Sequence, residues 1–235
     1  MSRNHAIIAF EGLDCSFKET NYKSFLKHLK EMRDPSGFSI HTESFPRYGK
    51  KTCASVERWL SGSYDRTMLM QHPKAVCSFY SIDRLDYWYE KLSDNTRRIE
   101  LLDYTEKFHY FVFDRYSLSN SIYNPIHPGE VNEEDFTFDR DIYGIPNPTR
   151  VIWMRMKNFD VLSNLIAQKQ NRDQNELNIE YLRSVWERSE QIISSDIFDK
   201  LGIELVVVDC LNADNTIKPR FELCEYIWYK AAAPV

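Results

Sequence analysis

The segment AIIAFEGLDCSFKET, residues 6–20, decides the reading of the fold. Ala6 to Phe10 is a short unbroken apolar run, the pattern of a strand covered on both faces in a parallel sheet. It stops at Glu11-Gly12, and from Thr20 a helical pattern begins, with Phe25, Leu26, Leu29 and Met32 on one face and Lys23, Lys27, Lys30 and Glu31 turned away. Asp34-Pro35-Ser36-Gly37 breaks the chain, and Phe38 to Thr42 can return as a second strand. The result is a strand–helix–strand unit of ordinary size.

Outward from this unit the alternation continues. Residues 54–61 and 74–92 read as helices, and Tyr110 to Phe113 (YFVF) as a buried strand ending in Asp114-Arg115. Val151 to Met156 (VIWMRM) and Glu204 to Val208 (ELVVV) read as two more, with residues 160–195 helical between them except for a polar break at 169–176. Strands alternating with helices predict one domain over residues 1–235, a three-layer α/β/α fold on a five-stranded parallel sheet. Residues 125–148 are rich in Pro, Gly and acids and predict a surface loop or insertion with room for a small substructure.

The turn after the first strand carries chemistry. A phosphate-binding loop of the P-loop type reads G-x-x-x-x-G-K-[ST] between strand and helix; its backbone N–H groups wrap a phosphate, its Lys holds the outer phosphates and its hydroxyl binds magnesium. Gly12 and Lys18 stand at the required spacing, while Phe17 replaces the second Gly and Glu19 replaces the Ser or Thr. A Gly-ended strand followed by an ordinary basic helix start is the plain alternative. Read as a phosphate loop, the segment makes Gly12, Leu13, Cys15, Ser16, Phe17, Lys18, Glu19 and Thr20 the ATP-binding residues, with the metal taken by the Glu19 carboxylate or by the nearby Thr20 hydroxyl.

Composition narrows the function class. The formal charge of −5 gives no global case for nucleic-acid or membrane binding, and a small phosphorylated ligand needs only a local cluster of Arg and Lys. Five scattered cysteines and six histidines lack metal-ligand spacing; reduced thiols predict a cytoplasmic protein. No apolar run is long enough to span a bilayer.

EGLDCSFKET resembles the thymidylate kinase loop E-G-x-D-G-S-G-K-[ST]-T, with Asp14 at the acidic position. Three further blocks resemble that family in order: FPRY at 45–48 with WLSG at 59–62, FYSIDR at 79–84, and DRYSLSNSIY at 114–123. The resemblance covers roughly residues 6–125, with a looser match to the lid at 169–188. It implies a P-loop nucleoside-monophosphate kinase that phosphorylates dTMP with ATP and Mg2+, and a homodimer.

Residue by residue, the resemblance implies that Asp14 sits by the sugar 3′-hydroxyl and the metal. It implies that Arg47 and Arg115 grip the acceptor phosphate, as guanidinium forks suit phosphate oxygens. Tyr80 would stack on the pyrimidine and Arg84 donate to a base oxygen. Asn120 would read the base edge, Tyr123 crowd the sugar 2′ position and Phe45 line the pocket. Asp114 joins Glu19 as a metal candidate and Lys18 as a catalytic group. Members that carry an Arg directly after the loop Asp have Cys15 here instead, so the cation is expected from the lid, with Arg172 first and Lys169 second; Asp173 and Glu176 resemble the lid acids. Two other readings stay open: a kinase of a modified deoxyuridylate or another deoxynucleotide, and a catalytically silent nucleotide-binding protein on the same scaffold.

Overall fold

The computed structural model describes residues 4–32, 37–92, 99, 102, 106–170 and 176–231. Five strands form one sheet: β1 (His5–Gly12), β2 (Phe38–Ser44), β3 (Phe108–Asp114), β4 (Arg150–Arg155) and β5 (Glu204–Asp209). Their order is β2-β3-β1-β4-β5 and every pairing is parallel. The described helices are α1 (Lys18–Met32), α2 (Ala54–Leu60), α3 (Arg66–Met70), α4 (Pro73–Leu92), α5 (Leu118–Tyr123), α6 (Glu134–Tyr143), α7 (Phe159–Ala167), α8 (Ile179–Ile193), α9 (Ile197–Leu201) and α10 (Arg220–Ala231). This is the α/β architecture of P-loop NTPase-type proteins, and the alternation read from the sequence reappears strand for strand.

Position in the sheet explains the strand sequences. Central β1 is buried at all eight residues, so both faces must be apolar and the run cannot alternate. Edge strands β2 and β5 are only partly covered; β2 mixes His, Thr, Ser and Glu with apolar residues, and β5 carries Glu204 and Asp209 at its ends. Register then sets the site: Phe10 of β1 and Ser44 of β2 both lie beside Asp114 at the end of β3. An aromatic cluster supports that end. Phe113 stacks on Tyr116 at 4.9 Å and meets Tyr87 and Phe45 edge-on at 5.2 and 5.5 Å. The buried Tyr116 hydroxyl accepts from Trp88 Nε1 at 2.7 Å and donates to the Pro146 carbonyl at 2.9 Å.

The stretch 125–148, expected as a surface loop or insertion with room for a small substructure, contains one. It holds helix α6, whose residues Asp135 to Asp139 are buried. Two of its acids are paired inside, Asp135 with Arg188 of α8 at 2.7 Å and Asp139 with Arg84 of α4 at 2.6 Å, while Glu130, Glu133 and Asp141 stay exposed. Composition alone could not separate a solvated acid from one with a buried partner.

At the far edge of the sheet, His41 stacks on Phe111 at 4.5 Å and lies 3.2 Å from the ring nitrogen of His109. Burial, then His109 and Lys91, drive the His41 imidazole down from 6.5 to about 4. The unfolded chain therefore takes up a proton before the folded one does, and stability drains as pH falls from 6.5 toward 4. His41→Phe keeps the ring but not the titration. Its urea-unfolding free energy is expected to fall less than that of the unsubstituted protein between pH 7 and pH 4.5, by on the order of 1 kcal/mol after allowing for solvent screening.

Candidate active site

The turn between β1 and α1, the candidate phosphate loop, has three residues of positive φ. Gly12 has φ 147°, and a Cβ there would lie 2.7 Å from both the Met154 carbonyl oxygen and Ser16 Oγ, so only Gly fits. Cys15 and Phe17 have φ of 60° and 61°, the left-handed region that glycine occupies at little cost. The fold thus keeps the loop's shape through two residues that pay a conformational penalty for it. Phe17 offsets part of this by packing its ring against the core.

Lys18 opens α1 and is buried. Burial, with Arg115 nearby, pulls its ammonium down to about 8, against the opposing pull of Asp14, Asp114 and Glu11. Arg115 follows the end of β3 and is itself left-handed, with φ 63°. Its guanidinium is ion-paired with Asp14 and lies 5.3 Å from the centre of the Tyr123 ring. Burial works against the Arg115 charge, but Tyr123, Asp14 and Glu11 outweigh it and hold the group charged. Burial would likewise raise Asp14, yet Arg115, Lys18 and Lys169 keep its carboxyl below the usual range.

Glu11 is the residue that the sequence reading passed over. It is fully buried at the end of β1; Oε1 accepts from the Tyr116 backbone N–H and Oε2 from Ser119 Oγ, both at 2.7 Å. Burial raises its carboxyl above the ordinary value, against Ser119, Arg115 and Tyr116. An acid at the end of an otherwise apolar central strand was the signal for it, because such a group is retained only with partners.

A cavity of about 920 Å³ opens beside this cluster. Phe45, Arg47, Tyr80, Arg84, Asn120 and Tyr123 line it together with Asp14, Asp114 and Arg115. Arg47 sits there in an unexpected state: its donors go to Asp83, Asp86, Glu90 and Thr52, at 3.0, 2.5, 3.1 and 3.3 Å. The sequence held the signal, since Asp83, Asp86 and Glu90 recur at helical spacing along α4. The Asn120 amide donates to the Cys77 carbonyl at 3.4 Å, and the Phe45–Pro46 peptide is cis. At the rim, Lys169 is ion-paired with Glu176, and both line the cavity. Arg172 and Asp173 lie outside the described residues.

Asp114 Oδ1 is buried without a hydrogen-bond partner among the described residues, as is Ser16 Oγ in the loop. Asp114 Oδ2 accepts from Ser44 Oγ at 3.2 Å. An orphaned carboxylate oxygen that lines the cavity fits a divalent cation brought with a nucleotide. Glu19 does not fit in this arrangement: its carboxylate is 68% exposed on the outer face of α1 and pairs with Lys23. Among the described residues no three His, Cys, Asp or Glu side chains form a metal cluster.

The sheet order and the crossovers define the class, an α/β protein with a P-loop NTPase-type fold. Among solved structures the chain is similar to a thymidylate kinase from Ehrlichia chaffeensis, with a TM-score of 0.59 and 16% identity over 96% of this chain and 97% of that one. No family model and no curated protein matches the sequence. At this identity the likeness is one of fold. No described helix is long and apolar enough to cross a membrane.

Left-handed strain in the loop has a direct test. Cys15→Gly is expected to exceed Cys15→Ala in urea-unfolding free energy by about 1 kcal/mol. At an ordinary helical or extended position the order reverses, so Ala above Gly would refute the loop conformation.

Proposed function

We propose that the chain is a nucleoside-monophosphate kinase that transfers the γ-phosphoryl group of ATP to dTMP, giving ADP and dTDP. The observation that carries this reading is the continuity of two half-sites. The turn that ends on the buried Lys18 abuts, through Asp14 and Arg115, a cavity lined by the Tyr80 ring, the Asn120 amide and Arg84.

Phosphoryl transfer needs positioning and charge neutralisation more than covalent help. In this reading the loop N–H groups and Lys18 hold the ATP phosphates. Tyr80, Arg84 and Asn120 hold the pyrimidine, and Arg115 aligns the acceptor phosphate. An oxygen of that phosphate attacks the γ-phosphorus as the bond to the ADP oxygen breaks. Mg2+ bound with ATP would neutralise phosphate oxygens, and Asp114 is the residue suited to hold it. Lys169 is the favoured lid cation among the described residues, because it lines the cavity and interacts with both Asp14 and Cys15. Arg47 reaches an acceptor phosphate only by exchanging carboxylate partners, so Arg115 is assigned the larger share of the grip.

We also propose a homodimer that uses the outer face of α4, where Ile82 and Tyr89, seven residues apart, are 43% and 66% exposed. Tyr89→Lys is expected to halve the mass measured by light scattering.

The test of function is ADP release with ATP and Mg2+ across dTMP, dUMP, dCMP, dGMP and dAMP. Turnover led by dTMP, with a loss of about a hundredfold or more in Lys18→Ala and Arg115→Ala, supports the proposal. Turnover led by another acceptor keeps the mechanism and moves the substrate. The silent-scaffold reading draws on the strained loop, the outward Glu19 and the neutralised Arg47. Nucleotide binding without turnover on any acceptor would favour it.

A further inference from the structure

Helix α6 is the part of the chain that the functional reading leaves unexplained, and its Asp139 reaches the proposed base site. Asp139 is 4% exposed and Arg84 is 1% exposed. Arg84 Nε donates to Asp139 Oδ2 at 2.6 Å and Arg84 Nη2 to Oδ1 at 3.1 Å, a two-point pair that fixes the guanidinium plane. Ser81 Oγ also donates to Asp139 Oδ1, at 2.6 Å, and so holds the carboxylate in turn. Among the described residues Nη1 has no hydrogen-bond partner, while Arg84 lines the cavity.

Two consequences follow from elementary chemistry. A buried guanidinium without a counter-charge attracts an anion; one paired with a carboxylate is electrically neutral as a unit and offers only directed N–H groups. A donor so fixed suits an uncharged carbonyl oxygen. Facing it with the amino group of a cytosine would set donor against donor and leave both unpaired in a buried place.

We propose that Asp139 is the positioning residue for acceptor choice: by pinning and neutralising Arg84 it makes this end of the cavity a subsite for an uncharged base carbonyl, selecting oxo-pyrimidines over amino-pyrimidines and over anions. The inference rests on the kinase reading and adds to it the role of α6. It also separates two arginines that line one cavity. Arg47 is shared among three carboxylates, two of them partly exposed and replaceable, whereas Arg84 has one buried, two-point partner.

Asp139→Asn keeps the shape and one acceptor oxygen but removes the charge. Steady-state kinetics with dTMP and dCMP, and calorimetric titration of both nucleotides and of inorganic phosphate, read its effect. The expected result is a KM for dTMP raised about tenfold with kcat within about twofold. The dTMP-over-dCMP preference should fall by about tenfold, and inorganic phosphate should inhibit more strongly than in the parent protein. In an Arg84→Gln background, Asp139→Asn should change the preference no further. A merely structural Asp139 would lower the thermal midpoint and leave the preference intact, and that result overturns the proposal. Should the Asn variant fail to fold around an unpaired Arg84, Ser81→Ala releases the carboxylate more gently and is expected to reduce the preference two- to threefold; an unchanged preference there also counts against Asp139. If the parent protein binds neither pyrimidine monophosphate, the kinase reading fails and this inference with it. If the parent discriminates and both variants discriminate equally well, only the role of Asp139 fails.

Discussion

A carboxylate buried between two strand ends holds the site together. Glu11 leaves the central strand β1 where the sheet stops, and its two oxygens take the backbone N–H of Tyr116 and the hydroxyl of Ser119 from the turn after β3. Taking a carboxyl group out of water is costly, and its raised affinity for a proton records that cost. Two hydrogen bonds and the nearby positive charges of Arg115 and Lys18 offset it. In return the turn is clamped with Arg115 left-handed, which brings its guanidinium onto Asp14. Without that clamp the turn would have an easier backbone conformation to adopt, and the junction between phosphate loop and cavity would open.

The same logic runs through the rest of the cavity. Each arginine that lines it has a carboxylate partner: Arg47 has Asp83, Asp86 and Glu90, Arg84 has Asp139, and Arg115 has Asp14. Lys169 pairs with Glu176. Such pairing adds less to stability than its Coulomb attraction suggests, because both partners lose hydration. What it supplies is direction, since a paired guanidinium keeps its plane. It also sets a threshold, as an anionic ligand must compete with a carboxylate already in place. Partly exposed partners such as Asp86 and Glu90 can yield, while Asp83 and Asp139, buried and held by further hydrogen bonds, are fixed.

Much of the frame was legible from local patterns. AIIAF, YFVF, VIWMRM and ELVVV each fall within an observed strand or overrun it by one residue, because a strand buried on both faces must be apolar without alternation. Gly12 and Lys18 could be located by spacing, since the loop is a short contiguous motif. The acceptor-side candidates came from blocks of sequence that the fold brings around one cavity. Glu19 was read as a metal ligand because it holds the hydroxyl's position in the motif; helix phase turns it outward to Lys23, four residues on. In residues 125–148, where Pro, Gly and acids point to a surface loop or insertion with a small substructure, that substructure is α6, and Asp135 and Asp139 are buried because α8 and α4 supply arginines.

By itself, then, the sequence determined the succession of five strands, the longer helices between them, the position of Gly12 and Lys18 on either side of the turn after β1 and the identity of the charged residues near it. These depend on periodicity and on spacing within a few residues. Tertiary structure alone decided which charges meet. Arg47 and Asp83 are 36 residues apart, Arg84 and Asp139 are 55 apart, and Asp14 and Arg115 are 101 apart. Helical spacing can mark the acids of α4 as a set, but a single Arg or Asp has the same letter whether it stays hydrated at the surface or is desolvated in a pair with a distant residue. Only the parallel sheet, by setting β1 beside β3 and packing α4 against α6, chose the pairs that give the cavity its chemistry.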